Sequence, residues 1–518
     1  MVEHRSPKPR AVGSSPPTPA SFSDGSSPVW RRLIAFVTSR SPAEAPALAI
    51  ALSLLSALPF LVVRQPQLTD YASHLARYHV MLNIGRSPWL ARYYEFHWIW
   101  TGNLGADLLM WPLGRLLGVE TAGWLIGLLI PPLTGLALVT VEWVLRRRIG
   151  VGSLLALTLI WSPAMGMGFY NFCLSLALAL FAFALWVALD GRGWRRLAFL
   201  PIGFAVWACH ATGWGVLGVL VFGYEWHKRK RASAFLAPWP LTLPLLPMLL
   251  AGTAGAGAGA RLYGPHPWVY KKAVLIQTMR DQSVDLDMAT PLILLLLILA
   301  AMILRRFDGR LGWAAVLIAA LVVAVPRHLG GGDYADYRLI PVALMLGCLA
   351  IDGRAPRLLL WLAPALFLVR LGFTTEAWAA NSRILESDLK ALDLLPIGAR
   401  VAGAVLVEPS GWKLNPFEHA PSYATVRRDG LVNSHFALPG VHMLRLREPI
   451  PDFVDPSQRL IRWRGEPIDL ARFAPARHAD YLWYFGRLPP TALPPGAILL
   501  TRTRHSLLAR LAKPQASR

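Results

Sequence analysis

The stretch QLTDYASHLARYHVML, Gln67 to Leu82, sets Asp70, His74 and Arg77 at intervals of four and three residues. On a helix those spacings put all three side chains on one face. A carboxylate, an imidazole and a guanidinium grouped in this way suit general-base attack on a hydroxyl, with cations meeting an anionic leaving group. The same pattern also describes an amphipathic helix lying among lipid headgroups with a solvated polar face. An Asp–His pair at this spacing leaves acyl transfer open as well. A second group lies in RHLGGGDYADYR (327–338), where Arg327, His328 and Arg338 flank Asp333 and Asp336 around three glycines. Arginine forks fit phosphate oxygens, and glycines let a backbone approach closely. The alternative there is a hydrated turn with arginines snorkelling from helix ends. His210, in CHATGW, is a further candidate for substrate contact, and Asn171, in GFYNFCLSL, reads as the cap of the helix that follows. The glycine-alanine stretch 251–268 lacks the lysine and following helix of a phosphate loop, and reads as a loop over a site with Arg261 and His266 as weaker contacts. Lys271, Lys272 and Arg280 read as headgroup contacts.

The elements that carry these residues follow from composition. The chain has 518 residues, 54% of them hydrophobic and 16% charged, and a mean hydropathy of +0.42, too apolar for an ordinary soluble protein. Apolar runs near bilayer length recur at about 44–63, 122–145, 151–167, 170–189, 196–211, 213–226, 234–251, 290–304, 311–326, 338–351 and 356–374. The formal net charge of +22 would suggest nucleic acid in a soluble chain. Here most arginines sit in short clusters between apolar runs, so a nucleic-acid partner is excluded. Residues 1–40 read as a basic tail without enough apolar surface to fold, and the run at 44–63 as a retained signal anchor. Cys173, Cys209 and Cys348 all fall inside apolar runs, with neither disulfide nor metal-site spacing.

The arginines orient the runs. With the tail inside and 104–118 interfacial rather than spanning, the clusters at 146–148, 191–196, 227–231, 305–310 and 352–357 all fall on the cytoplasmic side of an eleven-span chain. The outer face then collects the first loop (64–121), the turns at 166–172 and 209–214, the loop 252–289, the loop 327–338, and everything after about 375. Residues 376–518 read as an α/β domain, with strands at 400–407, 480–486 and 497–503, a possible helix near 416–427 and a helix over HSLLARLAK. Lacking a nucleophile elbow, a dinucleotide fingerprint or a metal cluster, this domain reads as a non-catalytic cap.

LTDYASHLAR, just after the first run, together with GFYNF and DYRLIP, resembles the GT-C superfamily of integral-membrane glycosyltransferases, and uncharacterised bacterial GT-C-like proteins in particular. The likeness covers the architecture of about 44–375. It implies an α-helical polytopic membrane domain of about eleven spans with an extracytoplasmic C-terminal domain. It implies an inverting transfer of a sugar from a polyprenyl-phosphate donor to an envelope glycan, lipid or protein, outside the inner membrane of a bacterium. Asp70 would be the general base, and His74, Arg77, His210, Arg327, His328, Asp336 and Arg338 the substrate contacts. Many members carry an acidic pair in the first loop; here Glu95 or Asp107 would complete it. A divalent metal is possible, membrane lipid is an expected partner, and protein partners are open. The rival readings are a non-catalytic assembly factor and a transporter of lipid-linked substrates. The absence of an internal repeat and of charge at span centres counts against a transporter.

Overall fold

The computed structural model describes residues 45–250, 262–329, 332–352, 357–437, 442–463 and 465–512. The tail at 1–40 and the loop residues 251–261, Arg261 among them, lie outside these. The described chain is mostly helical, with a sheet at its C-terminal end. Four helices are long and apolar enough to cross a membrane: Val119–Arg146, Tyr170–Ala188, Val284–Ile303, and Arg357–Asp388 prolonged by a 3-10 turn to Leu394. Three more apolar helices are shorter: Pro46–Leu55, Gly309–Ala324 and Leu339–Ala350.

Eleven apolar runs therefore yield fewer full-length helices than expected, and local chemistry gives the reason. The first run breaks after Leu55 and resumes as Leu58–Leu61, where Pro59 has no N–H to donate and Ser53 and Ser56 bond back to backbone carbonyls. The run at 151–167 splits into Val151–Leu157 and Pro163–Met167, with Pro163 opening the second piece. The run at 234–251 is cut by prolines into two 3-10 turns and the helix Leu245–Leu250. The stretch treated as interfacial forms Gly105–Leu117, whose 13 residues are too few to span.

The helix Val119–Arg146 sets the long dimension. Its 28 residues measure about 42 Å at 1.5 Å per residue. At its C-terminal end Arg146 pairs with Asp308 and Arg148 with Asp352, while Arg310 also binds Asp308. Nearby, Arg195 pairs with Glu225 and Lys228 with Asp190. Gly309 packs so close to His227 that a Cβ there would meet the ring. The arginine clusters at 146–148, 191–196, 227–231 and 305–310 thus gather at one end of the bundle, with Asp352 of the fifth beside them. At the opposite end of the same helix, Glu120 pairs with Arg427 of the C-terminal region at 2.8 Å.

That region carries a mixed sheet. Strands β2 (Arg400–Val407), β3 (Leu431–Val432), β5 (Arg459–Ile461), β6 (Tyr481–Phe485), β7 (Ile498–Arg502) and β8 (Ser506–Arg510) run in the order β3-β2-β6-β8-β7, with β5 on the far stretch of β2. β2 is parallel to β3, β5 and β6, while β8 is antiparallel to both neighbours. The sequence RVAGAVLV suits a strand buried on both faces. HSLLARLAK, expected as a helix, contains β8 instead. Leu507, Leu508 and Ala509 are buried against the sheet, so tertiary packing overrides its helix propensity.

The first loop is the platform on which this domain sits. Strand β1 (Tyr94–Phe96) pairs antiparallel with β4 (Leu444–Leu446). Val80, Leu90 and Tyr94 of the loop are buried in the same apolar cluster as Ala402, Leu431 and Leu482. Tyr423 donates to Gln65 at 2.5 Å, His79 meets Asp429 at 2.7 Å, and Ser73 donates to the Ser434 carbonyl at 3.1 Å.

Candidate functional site

Asp70 immediately precedes the helix Tyr71–Asn83, and its carboxyl makes no capping bond. Its N–H donates to the Met167 carbonyl at 2.9 Å, and the N–H of Thr69 to that of Gly166. Gly168 ends the short helix Pro163–Met167 at φ +91°, a conformation that favours glycine. The turn GMGFYNF therefore fixes where Asp70 sits.

His419 closes over it from the C-terminal domain. Its Nδ1 lies 3.0 Å from the Ser434 carbonyl, which makes Nδ1 the protonated nitrogen and turns Nε2 inward. That Nε2 is 3.6 Å from Asp70 Oδ1 and 3.7 Å from Asp455 Oδ1, and the His419 side chain is fully buried. Glu418 binds Arg459 at 2.6 Å beside them. Burial pushes the Asp70 carboxyl up to about 7; His419 pulls it back down, Glu418 and Asp455 push it further up, and Arg459 lowers it. A carboxyl so placed changes charge near neutrality.

Gly403 of β2 makes the approach of His419 possible. A Cβ at Gly403 would fall 2.5 Å from Pro421, two residues beyond His419. Asn433 bonds both backbone groups of Gly403, accepting from its N–H at 2.7 Å and donating to its carbonyl at 3.1 Å.

A cavity of about 2040 Å³ opens in front of Asp70, between the apolar helices and the sheet domain. Six of the eight residues singled out in the sequence line it: Asp70, His74, Arg77, His210, His328 and Arg338. The helical spacing of the first three thus holds. Arg338 has its guanidinium 4.2 Å from the Phe169 ring centroid, one nitrogen 2.9 Å from His210 Nε2 and another donating to the Asp333 carbonyl at 3.1 Å. Among the described residues, no carboxylate forms an ion pair with Arg338. His74 packs on Phe436, and burial beside Arg77 pushes its pKa well below the usual histidine value, so the ring is neutral. Arg77 is paired with Asp107, which is fully buried.

Arg327 and Asp336 stand differently. Arg327 binds Asp333 through two nitrogens, at 2.8 and 2.9 Å, and is not part of the cavity wall. Asp336 is fully buried, bound to Lys271 at 2.5 Å and to Tyr270 at 3.1 Å. Both hold the loop in shape. His210 begins the helix Ala211–Arg229, its Nδ1 accepting from Thr212. Asn171 does not cap its own helix. It accepts from the Ala106 N–H at 2.5 Å and donates to Asn103 at 2.8 Å, clamping the start of the helix Gly105–Leu117.

The acidic partner of Asp70 is neither Glu95, which lies at the surface beside His97 and Arg447, nor Asp107. The carboxylates whose charge bears on Asp70 are Glu418 and Asp455, the latter sharing the His419 Nε2 with it. PFEHAP and FVDPS carry these residues; an acidic residue beside a histidine was a sequence signal for the first, and FVDPS offered none. The C-terminal domain also reaches the helical bundle through Arg280, whose guanidinium holds the carbonyls of Gly411, Trp412 and Lys413. Trp412 in turn donates to Asp287, itself paired with Arg370.

Among the described residues, no group of three or more His, Cys, Asp or Glu side chains is arranged to hold a metal ion. The divalent metal that the family resemblance allows has no such cluster there. No family model matches the chain, and no curated protein or solved structure is significantly similar to it.

Proposed function

We propose that this chain is an integral-membrane glycosyltransferase of the GT-C type, moving a sugar from a polyprenyl-phosphate donor to a hydroxyl acceptor on the outer face of a bacterial inner membrane. The observation that carries the reading is the presence on one cavity wall of Asp70, a carboxyl that titrates near neutrality, and Arg338, a guanidinium without a carboxylate partner among the described residues. A cavity edge built from Val216, Val219, Ile318 and Leu321 is apolar enough for an isoprenoid tail. The opposite wall, with Glu408, Trp412, Asn415 and Arg487, is polar enough for a hydrophilic acceptor. Asp70 removes the acceptor proton as its oxygen attacks the anomeric carbon. The bond from that carbon to the phosphate oxygen breaks with its electrons going to phosphate, which Arg338 stabilises. Inversion follows from a single displacement.

The gathering of four arginine clusters, at 146–148, 191–196, 227–231 and 305–310, at one end of the bundle supports the orientation with Asp70 outside, and the shorter apolar helices and broken runs would complete the eleven crossings. The test is release of polyprenyl phosphate from a panel of polyprenyl-phosphate hexoses and pentoses by the purified chain in lipid nanodiscs. Turnover that Asp70→Asn abolishes supports the reading. Donor binding without turnover in the wild type, at any pH, favours the assembly-factor or transporter alternatives.

A further inference from the structure

We infer that His419 and Asp455 form a single proton-holding unit with Asp70, so that the base of the membrane domain is completed by the domain outside it. The inference deepens the transferase reading and rests on it for its role in turnover, but its geometry stands independently. His419 is fully buried, and its Nε2 has no hydrogen-bond partner among the described residues. A buried, unpartnered ring nitrogen is costly unless something occupies the space before it. What lies before it is two carboxyls, at 3.6 and 3.7 Å, just beyond hydrogen-bond distance on either side. Since Nδ1 is held by the Ser434 carbonyl, the Nε2 lone pair is the acceptor, and a proton placed there is flanked by both aspartates.

The charged groups around Asp70 come from three elements. His419 and Glu418 precede the Tyr423–Arg428 helix, Asp455 precedes β5 and Arg459 opens it, and Arg338 faces Asp70 from the start of the helix Leu339–Ala350. His74 and His442 are held neutral, by burial above all, His442 having been pushed down to about 4, so they add no charge there near pH 7.

In turnover, the acceptor O–H bond breaks and its proton joins a carboxyl oxygen of Asp70, while the acceptor oxygen forms the new bond to the sugar. The proton then passes from Asp70 to His419 Nε2, restoring the Asp70 carboxylate, and Asp455 balances the imidazolium. His419 later releases it to water in the cavity. His419 is a positioning residue in this scheme: it acts on the acceptor only through Asp70.

The test does not depend on turnover. Dicyclohexylcarbodiimide reacts with protonated carboxyls in apolar surroundings, so labelling of the peptide containing Asp70, followed by mass spectrometry across pH 5–9 (about two units either side of the titration point), reads its protonation. In the full chain the labelling should fall through about pH 7, and Asp70→Asn should remove it. His419→Gln takes away a group that lowers the Asp70 pKa, so its midpoint should move to higher pH. Asp455→Asn takes away one that raises it, so its midpoint should move lower. Opposite shifts establish the unit; coincident midpoints in all three proteins overturn it. Should His419→Gln fail to fold, the Asp455→Asn shift alone decides, since that side chain is partly exposed and its replacement is nearly isosteric. Opposite shifts in a chain without transferase activity would leave the unit standing and remove the enzyme reading.

Discussion

Replacing Arg338 by alanine should weaken use of the lipid-phosphate donor by roughly ten- to a hundredfold while leaving the acceptor nearly untouched. The guanidinium gives one bond to the Asp333 carbonyl, has another nitrogen 2.9 Å from His210 Nε2 and packs on Phe169, and no carboxylate among the described residues neutralises it. A phosphate entering the cavity gains charge-assisted bonds of about 1.5–3 kcal/mol each. At about 1.4 kcal/mol per decade, loss of one such bond gives the stated range. The groups left behind face the cavity, where water can replace the lost partners, so folding should survive. Arg338→Lys should recover part of the loss, because a point charge replaces a fork. Steady-state kinetics in nanodiscs, varying donor and acceptor separately, measures the split. Arg327→Ala supplies the contrast: its guanidinium is already bound to Asp333, so it should loosen the loop without a selective effect on the donor. A donor KM for Arg338→Ala within twofold of wild type would refute the assignment, as would equal losses against donor and acceptor.

The folded Asp70 carboxyl titrates near 7 against 3.8 in a model carboxyl, so its active carboxylate form appears as pH rises, and transfer should fall about tenfold per unit below pH 7. Linkage runs the other way: the folded chain holds a proton that the unfolded chain gives up, so stability is lost as pH rises from about 4 to about 7. Asp70→Asn should therefore melt higher than wild type at pH 8, with the difference vanishing toward pH 4. Gly403→Val would drive a side chain into Pro421, and should destabilise the C-terminal domain by about 1–3 kcal/mol, seen as faster limited proteolysis after residue 390. A single cysteine at Asp393 should react with a membrane-impermeant maleimide added to intact cells and one at Arg231 should not, the native cysteines being buried. The reverse pattern would invert the proposed topology.

What could be read from the sequence were features that obey a local rule. Asp70, His74 and Arg77 share a cavity because helical periodicity survives any tertiary setting. β2, β6 and β7 were legible as β-branched and apolar runs between turn residues. β8 was not, since SLLAR has a helix former's composition and only its place beside β6 makes it a strand. Apolar runs said nothing of where Ser53, Ser56, Pro59 or Pro163 would interrupt a helix. The loop 327–338 was recognised as charged, yet which of its arginines stayed available depended on Asp333 and Lys271, whose partners are fixed in three dimensions. His419 and Asp455 lay beyond any spacing argument, being brought to Asp70 by β1–β4 pairing and a glycine in β2.

The pairing of the first loop with the last domain sets an order of events in the life of the chain. Ser73 and Ser434 meet across 361 residues, and His79 and Asp429 across 350. A ribosome making this protein delivers Asp70 long before the segment that carries His419. Until the C-terminal region has folded, β1 has an open edge and the aspartate faces a half-built chamber. A nascent or truncated chain would therefore hold its apolar helices and its arginine network without a finished site. Such chains offer the quality-control machinery a clear mark of immaturity in the unpaired strand Tyr94–Phe96. Completion of the chain and readiness of the site are, in this architecture, the same event.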